Sequence, residues 1–287
     1  MNWVNKCKLP TIEAIKYNNQ QCLDIDNLWN MLHSTFNTAL HYQVDVKILD
    51  KISKKPTSPW PLFSKEEFRI VIANCNNASA LGPDKLSWSH LKIILKYNEY
   101  LGIIVCIANA CIELWYWLSY FKRSTTVIIP KLNKTLYNSQ KSFRPIVLLN
   151  TVGKLIEKVI RERLQFTITA NDFIHPSQLG SLKFKSMTDV GIVLTHIIQT
   201  GWVKNLSTST LIFDIAQFFP LLNHCLLTLI MKKVGFDNCI ISFLANYLID
   251  RKTNYFWNNF ISPIFNVNIG VGQGSVLSPI LSALYLS

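Results

Sequence analysis

Asp214 is the only acidic residue between Asp189 and Asp237, and it stands in the run LIFDIAQFFP with bulky apolar neighbours on both sides. An ionised carboxylate in such surroundings is costly unless something pairs with it. A bound cation would do so. The alternative is an aspartate that ends a strand and caps the next helix, since no second carboxylate is near in sequence. The stretch IGVGQGSVLSP at 269–279 is a second oddity, with three glycines in five positions and Gln273 between the last two. Such glycines either let a backbone approach a ligand or make a plain strand-to-helix turn. Their spacing matches neither a phosphate-binding loop nor a dinucleotide fingerprint. Charge is the third signal. The net charge is +12, and residues 131–186 hold 10 basic against 3 acidic groups. That is more than half the surplus in 56 residues. A solvated basic face would account for it, but clustered Lys and Arg that displace counterions from phosphates favour a nucleic-acid surface.

The elements that must position these residues are legible in outline. Residues 63–75 read as a helix, with Ser64 as N-cap and Glu67 completing a capping box, ending at the Gly82, Pro83, Asp84 turn. Two β-rich runs, 125–129 and 143–149, flank a loop with Lys131, Lys134 and Lys141, which predicts a basic-tipped hairpin. After Asn150, apolar residues from Val152 to Leu164 fall at helical spacing, and Lys154, Lys158, Arg161 and Arg163 take the remaining positions. Beyond these, 211–219 reads as a strand, 221–234 as a helix stopped by Gly235, and 240–249 as another helix. Residues 253–260 and 264–269 read as two strands, and Ser275 opens a last apolar helix. The fold class is therefore α+β.

Composition sets the bounds. Hydrophobic residues make up 49% and charged residues 16% of 287, so the chain has either a large core or an uncovered partner surface. Residues 1–60 read as a polar leader with a helix over 28–40 and a linker at Lys54, Lys55 and Pro56. The seven cysteines show no CxxC pair, which fits reduced thiols in an intracellular protein. The opening MNWVNKCKLP has no apolar run of a secretory signal. The apolar run 101–118 is interrupted on one helical face by Asn109 and Glu113, so it reads as a core helix rather than a membrane span.

Six segments, taken in order, resemble the reverse transcriptase of LINE-type (non-LTR) retrotransposons, with wording closest to fungal elements. They are LGPDKLSWSHLK at 81–92, VIIPK at 127–131, FRPIVLLNTVGKLIEKVIRERL at 143–164, HPSQLG at 175–180, FDIAQFFPLLNH at 213–224 and GVGQGSVLSPILSALY at 270–285. The resemblance runs from about residue 60 to 287. Leu81 before GPD and Ser181 after HPSQLG depart mildly from the family pattern.

The resemblance implies a right-hand polymerase fold: a leader at 1–60, a fingers-like region at 61–190 with the basic hairpin and helix, and a partial palm at 191–287, the thumb missing. It implies an RNA-directed DNA polymerase that adds deoxynucleotides by two-metal phosphoryl transfer. Asp214 matches the first catalytic aspartate, with the carbonyl of Ile215 as a further Mg2+ ligand. Phe219 matches the aromatic gate against a ribonucleotide's 2′ hydroxyl. Gln273 and Gly274 match the border of the nucleotide pocket, and Arg144 and Lys131 the fingers residues that hold the triphosphate. Lys154, Lys158, Arg161 and Arg163 would face nucleic acid. The implied partners are an RNA template with a DNA primer and deoxynucleoside triphosphates, with no membrane, and LINE-type integration implies nuclear action. The family's second catalytic motif, YxDD, is not in the chain, and no Asp or Glu follows Asp250. Two metals need more than one carboxylate, so the chain alone is expected not to polymerise. A non-catalytic nucleic-acid-binding relic keeps the basic surface and discards the chemistry. A membrane protein built around 101–118 is the third reading.

Overall fold

The computed structural model describes residues 15–17, 20–22, 60–133, 137, 139, 142–215 and 217–287. The expected helix at 28–40, the Lys54 to Pro56 linker and the loop lysines Lys134 and Lys141 lie outside the described residues. Within the leader, β1 (Ile15–Tyr17) and β2 (Gln20–Cys22) form an antiparallel pair.

The first helical layer follows from its caps. In α1 (Lys65–Ala73) the Glu67 amide donates to the Ser64 hydroxyl and the Ser64 amide donates to the Glu67 carboxylate, so the predicted capping box is present. Ser87 and His90 cap α2 (Trp88–Ile94) in the same way. The apolar run becomes α3 (Asn98–Glu113), which buries Leu101, Ile104, Val105, Ala108 and Cys111. Its polar interruption is used: Asn109 Oδ1 accepts from the Phe63 amide at 2.6 Å and its Nδ2 donates to the Phe63 carbonyl at 3.2 Å. No described helix is long and apolar enough to cross a membrane.

The predicted hairpin is β3 (Arg123–Pro130) with β4 (Phe143–Leu149), antiparallel over its full length. β5 (Arg251–Trp257) runs parallel to β3 on its other side, and β6 (Phe260–Ile261) and β7 (Phe265–Val267) add antiparallel to β5. The result is a five-stranded mixed sheet. It joins strands from both sides of the expected boundary at residue 190, so β5 to β7 belong with the hairpin.

α4 (Thr151–Ala170) starts where the Gly82, Pro83, Asp84 turn caps it: Asp84 Oδ2 accepts from the Thr151 amide at 2.6 Å, and Thr151 Oγ1 donates to the Leu86 carbonyl at 2.7 Å. Gly82 is required there, since a methyl at this position would lie 2.0 Å from the Leu149 carbonyl oxygen. α4 buries Leu155, Ile156, Val159, Ile160, Leu164 and Ile168, which contributes roughly 10 kcal/mol of apolar burial. α1 packs against α3 and α4.

The strand expected over 211–219 is absent. Residues 204–215 carry no regular structure and are exposed, Gln217 adopts a left-handed φ of 55°, and a one-turn α6 (Phe218–Leu221) follows. A strand holds only where a neighbour completes its ladder, and no strand among the described residues runs beside this segment. α5 (Met187–Val203), just before it, buries no residue. Asn223 caps α7 (His224–Val234), which ends at Gly235 with φ 103°, and Asp237 caps α8 (Asn238–Leu248). α9 (Ser278–Tyr285) begins three residues later than expected, and the Ser275 hydroxyl is engaged in a buried cluster. α8 packs against α3 and α7, and α9 against α4 and α7.

Candidate active site and nucleic-acid face

The glycine-rich loop is a bridge. The Gly270 amide donates to the Leu222 carbonyl at 3.0 Å, and the Val271 amide to the Phe219 carbonyl at 2.8 Å. Two residues beyond Val271, the Gln273 carbonyl accepts from the Val147 amide of β4 at 2.8 Å. These bonds explain the glycines. Gly270 has φ 73°, and a methyl there would lie 2.3 Å from the Pro220 carbonyl oxygen; Gly274 has φ 130°, and a methyl would lie 2.4 Å from the Val147 carbonyl oxygen. His224 Nε2 adds a 2.7 Å bond to the Gly270 carbonyl, and burial holds its pKa below the ordinary value. Phe219, Gln273, Gly274 and the strand bearing Arg144 are thereby brought together.

Behind the loop lies a polar cluster that sequence reasoning missed. Glu157 of α4 is 1% exposed and accepts from Tyr247 Oη at 2.9 Å, Ser275 Oγ at 3.1 Å and the Val276 amide at 3.0 Å. Burial pushes its carboxyl up against the opposing pull of those hydrogen bonds and of Arg251. Arg251 is itself buried, its Cζ lies 5.8 Å from the Tyr247 ring centroid, and its Nη1 has no hydrogen-bond partner among the described residues. Arg251 borders a cavity of about 80 Å³ that Thr126, Val147, Tyr255, Phe265 and Gln273 also line. A signal was present: Glu157 stands three residues before Ile160 and seven before Leu164, on the core face of α4.

The remaining expected residues are dispersed. Asp214 is exposed, as are Leu211, Ile212, Phe213 and Ile215 at 56% or more. The apolar setting expected for this carboxylate is not realised, because the segment lies outside the sheet. No group of three His, Cys, Asp or Glu that could hold a metal occurs among the described residues. Asp214 and the Ile215 carbonyl alone do not make a two-ion magnesium site, which needs more oxygen ligands. On the hairpin, Arg144 pairs with Ile129, and two residues on the Lys131 amide donates to the Ser142 carbonyl. Strand alternation therefore puts the Arg144 and Lys131 side chains on one face, opposite Pro145 and Val147 of the cavity.

The basic face of α4 divides. Arg161 is exposed beside Glu162. Lys158 Nζ sits 5.6 Å from the Trp88 ring centroid. Burial lowers the Lys154 pKa, with Glu157 and Asp84 acting against that. Arg163 is a fastener: it pairs with Glu67 at 2.7 Å, donates to the carbonyls of Pro61 and Leu62, and its Cζ stacks 4.1 Å from the Phe63 ring centroid. The free cation expected at Arg163 is thus committed to holding α1 and its approach segment against α4.

A protein-family model described as "Reverse transcriptase (RNA-dependent DNA polymerase)" matches residues 129–287. Three proteins of Drosophila melanogaster are similar over most of the chain. One, named "Probable RNA-directed DNA polymerase from transposon X-element", is 27% identical over 78% of this chain and 24% of its own length. Another, named "Probable RNA-directed DNA polymerase from transposon BS", is 30% identical over 88% of this chain and 27% of its own. The third, named "RNA-directed DNA polymerase from mobile element jockey", is 25% identical over 80% of this chain and 25% of its own. The chain spans about a quarter of the length of the curated relatives it matches.

Proposed function

Because the chain belongs to the reverse transcriptase family, we propose that it forms the fingers-like region, with β5 to β7 included, and part of the palm of a LINE-type RNA-directed DNA polymerase. Its substrates would be an RNA template with a DNA primer and deoxynucleoside triphosphates. The observation that carries this reading is the 270–274 loop, which ties the Phe219 turn to the strand of Arg144 through backbone bonds at both ends. A pocket border and a sugar-facing aromatic need that kind of fixed spacing. In this reading Gln273 and Gly274 border the nucleotide and Phe219 rejects a 2′ hydroxyl by contact, while the triphosphate role of Arg144 and Lys131 requires the phosphates to reach the other face of the hairpin, where their side chains lie. Magnesium ions would stabilise the attacking and leaving oxygens in the complete enzyme, and the share of ligands offered here is Asp214 with the Ile215 carbonyl.

For the 287-residue chain by itself, the exposed, lone Asp214 favours a second reading: nucleic-acid binding without catalysis. Both readings require binding to a primer–template. It is tested by titrating an RNA–DNA primer–template with the chain across a salt series. Affinity is expected to fall linearly on logarithmic axes as salt rises, with Asp214→Asn indistinguishable from the parent. Absence of binding, or binding insensitive to salt, rejects the proposal.

A further inference from the structure

Phe184 carries two costs. Its side chain is 94% exposed, and its backbone has φ 63°, a left-handed conformation that costs a non-glycine residue about 1–2 kcal/mol. Such a conformation persists only where the surroundings impose it, and here the neighbours on both sides are anchored. The Lys183 amide donates to Gln165 Oε1 at 3.2 Å, and Lys183 Nζ pairs with Glu162 at 2.9 Å. Lys185 Nζ donates to the carbonyls of Pro176 and Gln178 at 3.2 and 3.1 Å. The turn is pinned onto α4 and its own loop, with the ring between them standing in solvent and Lys183 Nζ 5.5 Å from its centroid. Phe166, 75% exposed, lies four residues beyond Glu162 and so on the helix face that anchors the lysine.

We propose that Phe184, with Phe166 beside the same anchor, is a stacking platform for the unpaired bases of a single-stranded nucleic acid, with the net positive charge around it, of which Lys185 held by two neutral carbonyls is the uncompensated part, drawing in the backbone phosphates. The proposal rests on the nucleic-acid reading above and adds strand selectivity to it. Phosphate charge attracts single strands and duplexes alike. A duplex hides its base faces, whereas a single strand offers them to an aromatic ring in any sequence. A rigidly presented ring between lysines, in the segment with the densest positive charge of the chain, suits that ligand.

The test is fluorescence anisotropy of the 287-residue chain with single-stranded oligouridine RNA and with an RNA duplex of equal length, each over several salt concentrations. Phe184→Ala is expected to weaken single-strand binding on the order of tenfold, with duplex binding, salt slope and unfolding midpoint unchanged. Phe184→Trp is expected to retain the parent affinity. If the parent binds RNA with the expected salt dependence and Phe184→Ala binds the single strand equally well, the platform is rejected while the nucleic-acid reading stands. If the parent binds neither RNA, both are rejected.

Discussion

Residues of one charge and one helix differ in role according to what they touch. Arg161 faces solvent, whereas the guanidinium of Arg163 is held by Glu67 and two carbonyls. Arg163→Ala should therefore lower stability by about 2 kcal/mol, read in a denaturant titration, and leave the salt slope of RNA binding where it was. Arg161→Ala should leave stability unchanged and reduce that slope by about one. Glu157 offers a pH test. Burial raises its folded pKa above the ordinary 4.5, so its protonated form favours the fold. That contribution is complete below pH 4.5 and is lost as pH rises through the raised folded value. Glu157→Gln removes the ionisation, so the stability of the parent relative to the variant should decline as pH is raised from the ordinary carboxylate range towards neutral. A relative stability independent of pH in urea melts would show that the carboxyl is not held in this way.

Among the elements, those set by local chemistry were the ones the sequence announced. The capping box at Ser64, the core stripe of α4 and the stop at Gly235 each depend on residues within a few positions, and the strand 143–149 on a partner one hairpin loop away. What was hidden depends on distance along the chain. Arg163 reads as a free cation in the sequence because its partners are about a hundred residues earlier, and β5 to β7 read apart from the hairpin because a parallel pairing with β3 leaves no local mark. The strand expected at 211–219 failed for the converse reason: a strand pattern is a request for a partner. Of the candidate site, the sequence marks residues but not their arrangement. Gln273, Gly274 and Phe219 meet through one loop, while Asp214 stands apart and the Glu157, Tyr247, Arg251 cluster had gone unread. If the loop sets that geometry, Gly274→Ala, which drives a methyl against the Val147 carbonyl and strains φ 130°, should cost about 2 kcal/mol or more. A Gly274→Ala protein as stable as its parent would remove the loop from its bridging role.

At the scale of the whole molecule, the core and the exposed apolar segment belong together. The helices around α4 bury a continuous cluster, yet α5 and residues 204–215 leave Ile192, Val193, Trp202, Leu211, Ile212 and Phe213 in solvent. Exposed apolar areas of this size are commonly interaction surfaces, and Asp214 lies within this one. The central proposal is that this chain, a member of the reverse transcriptase family, binds a primer–template without itself completing the chemistry, for which one exposed carboxylate would be too few. The most direct measurement is templated deoxynucleotide incorporation in Mg2+ by a preparation of the 287-residue chain already shown to bind the primer–template. No extension above background is predicted, with Asp214→Asn identical to the parent. Magnesium-dependent templated extension by the parent, lost in Asp214→Asn, would contradict it.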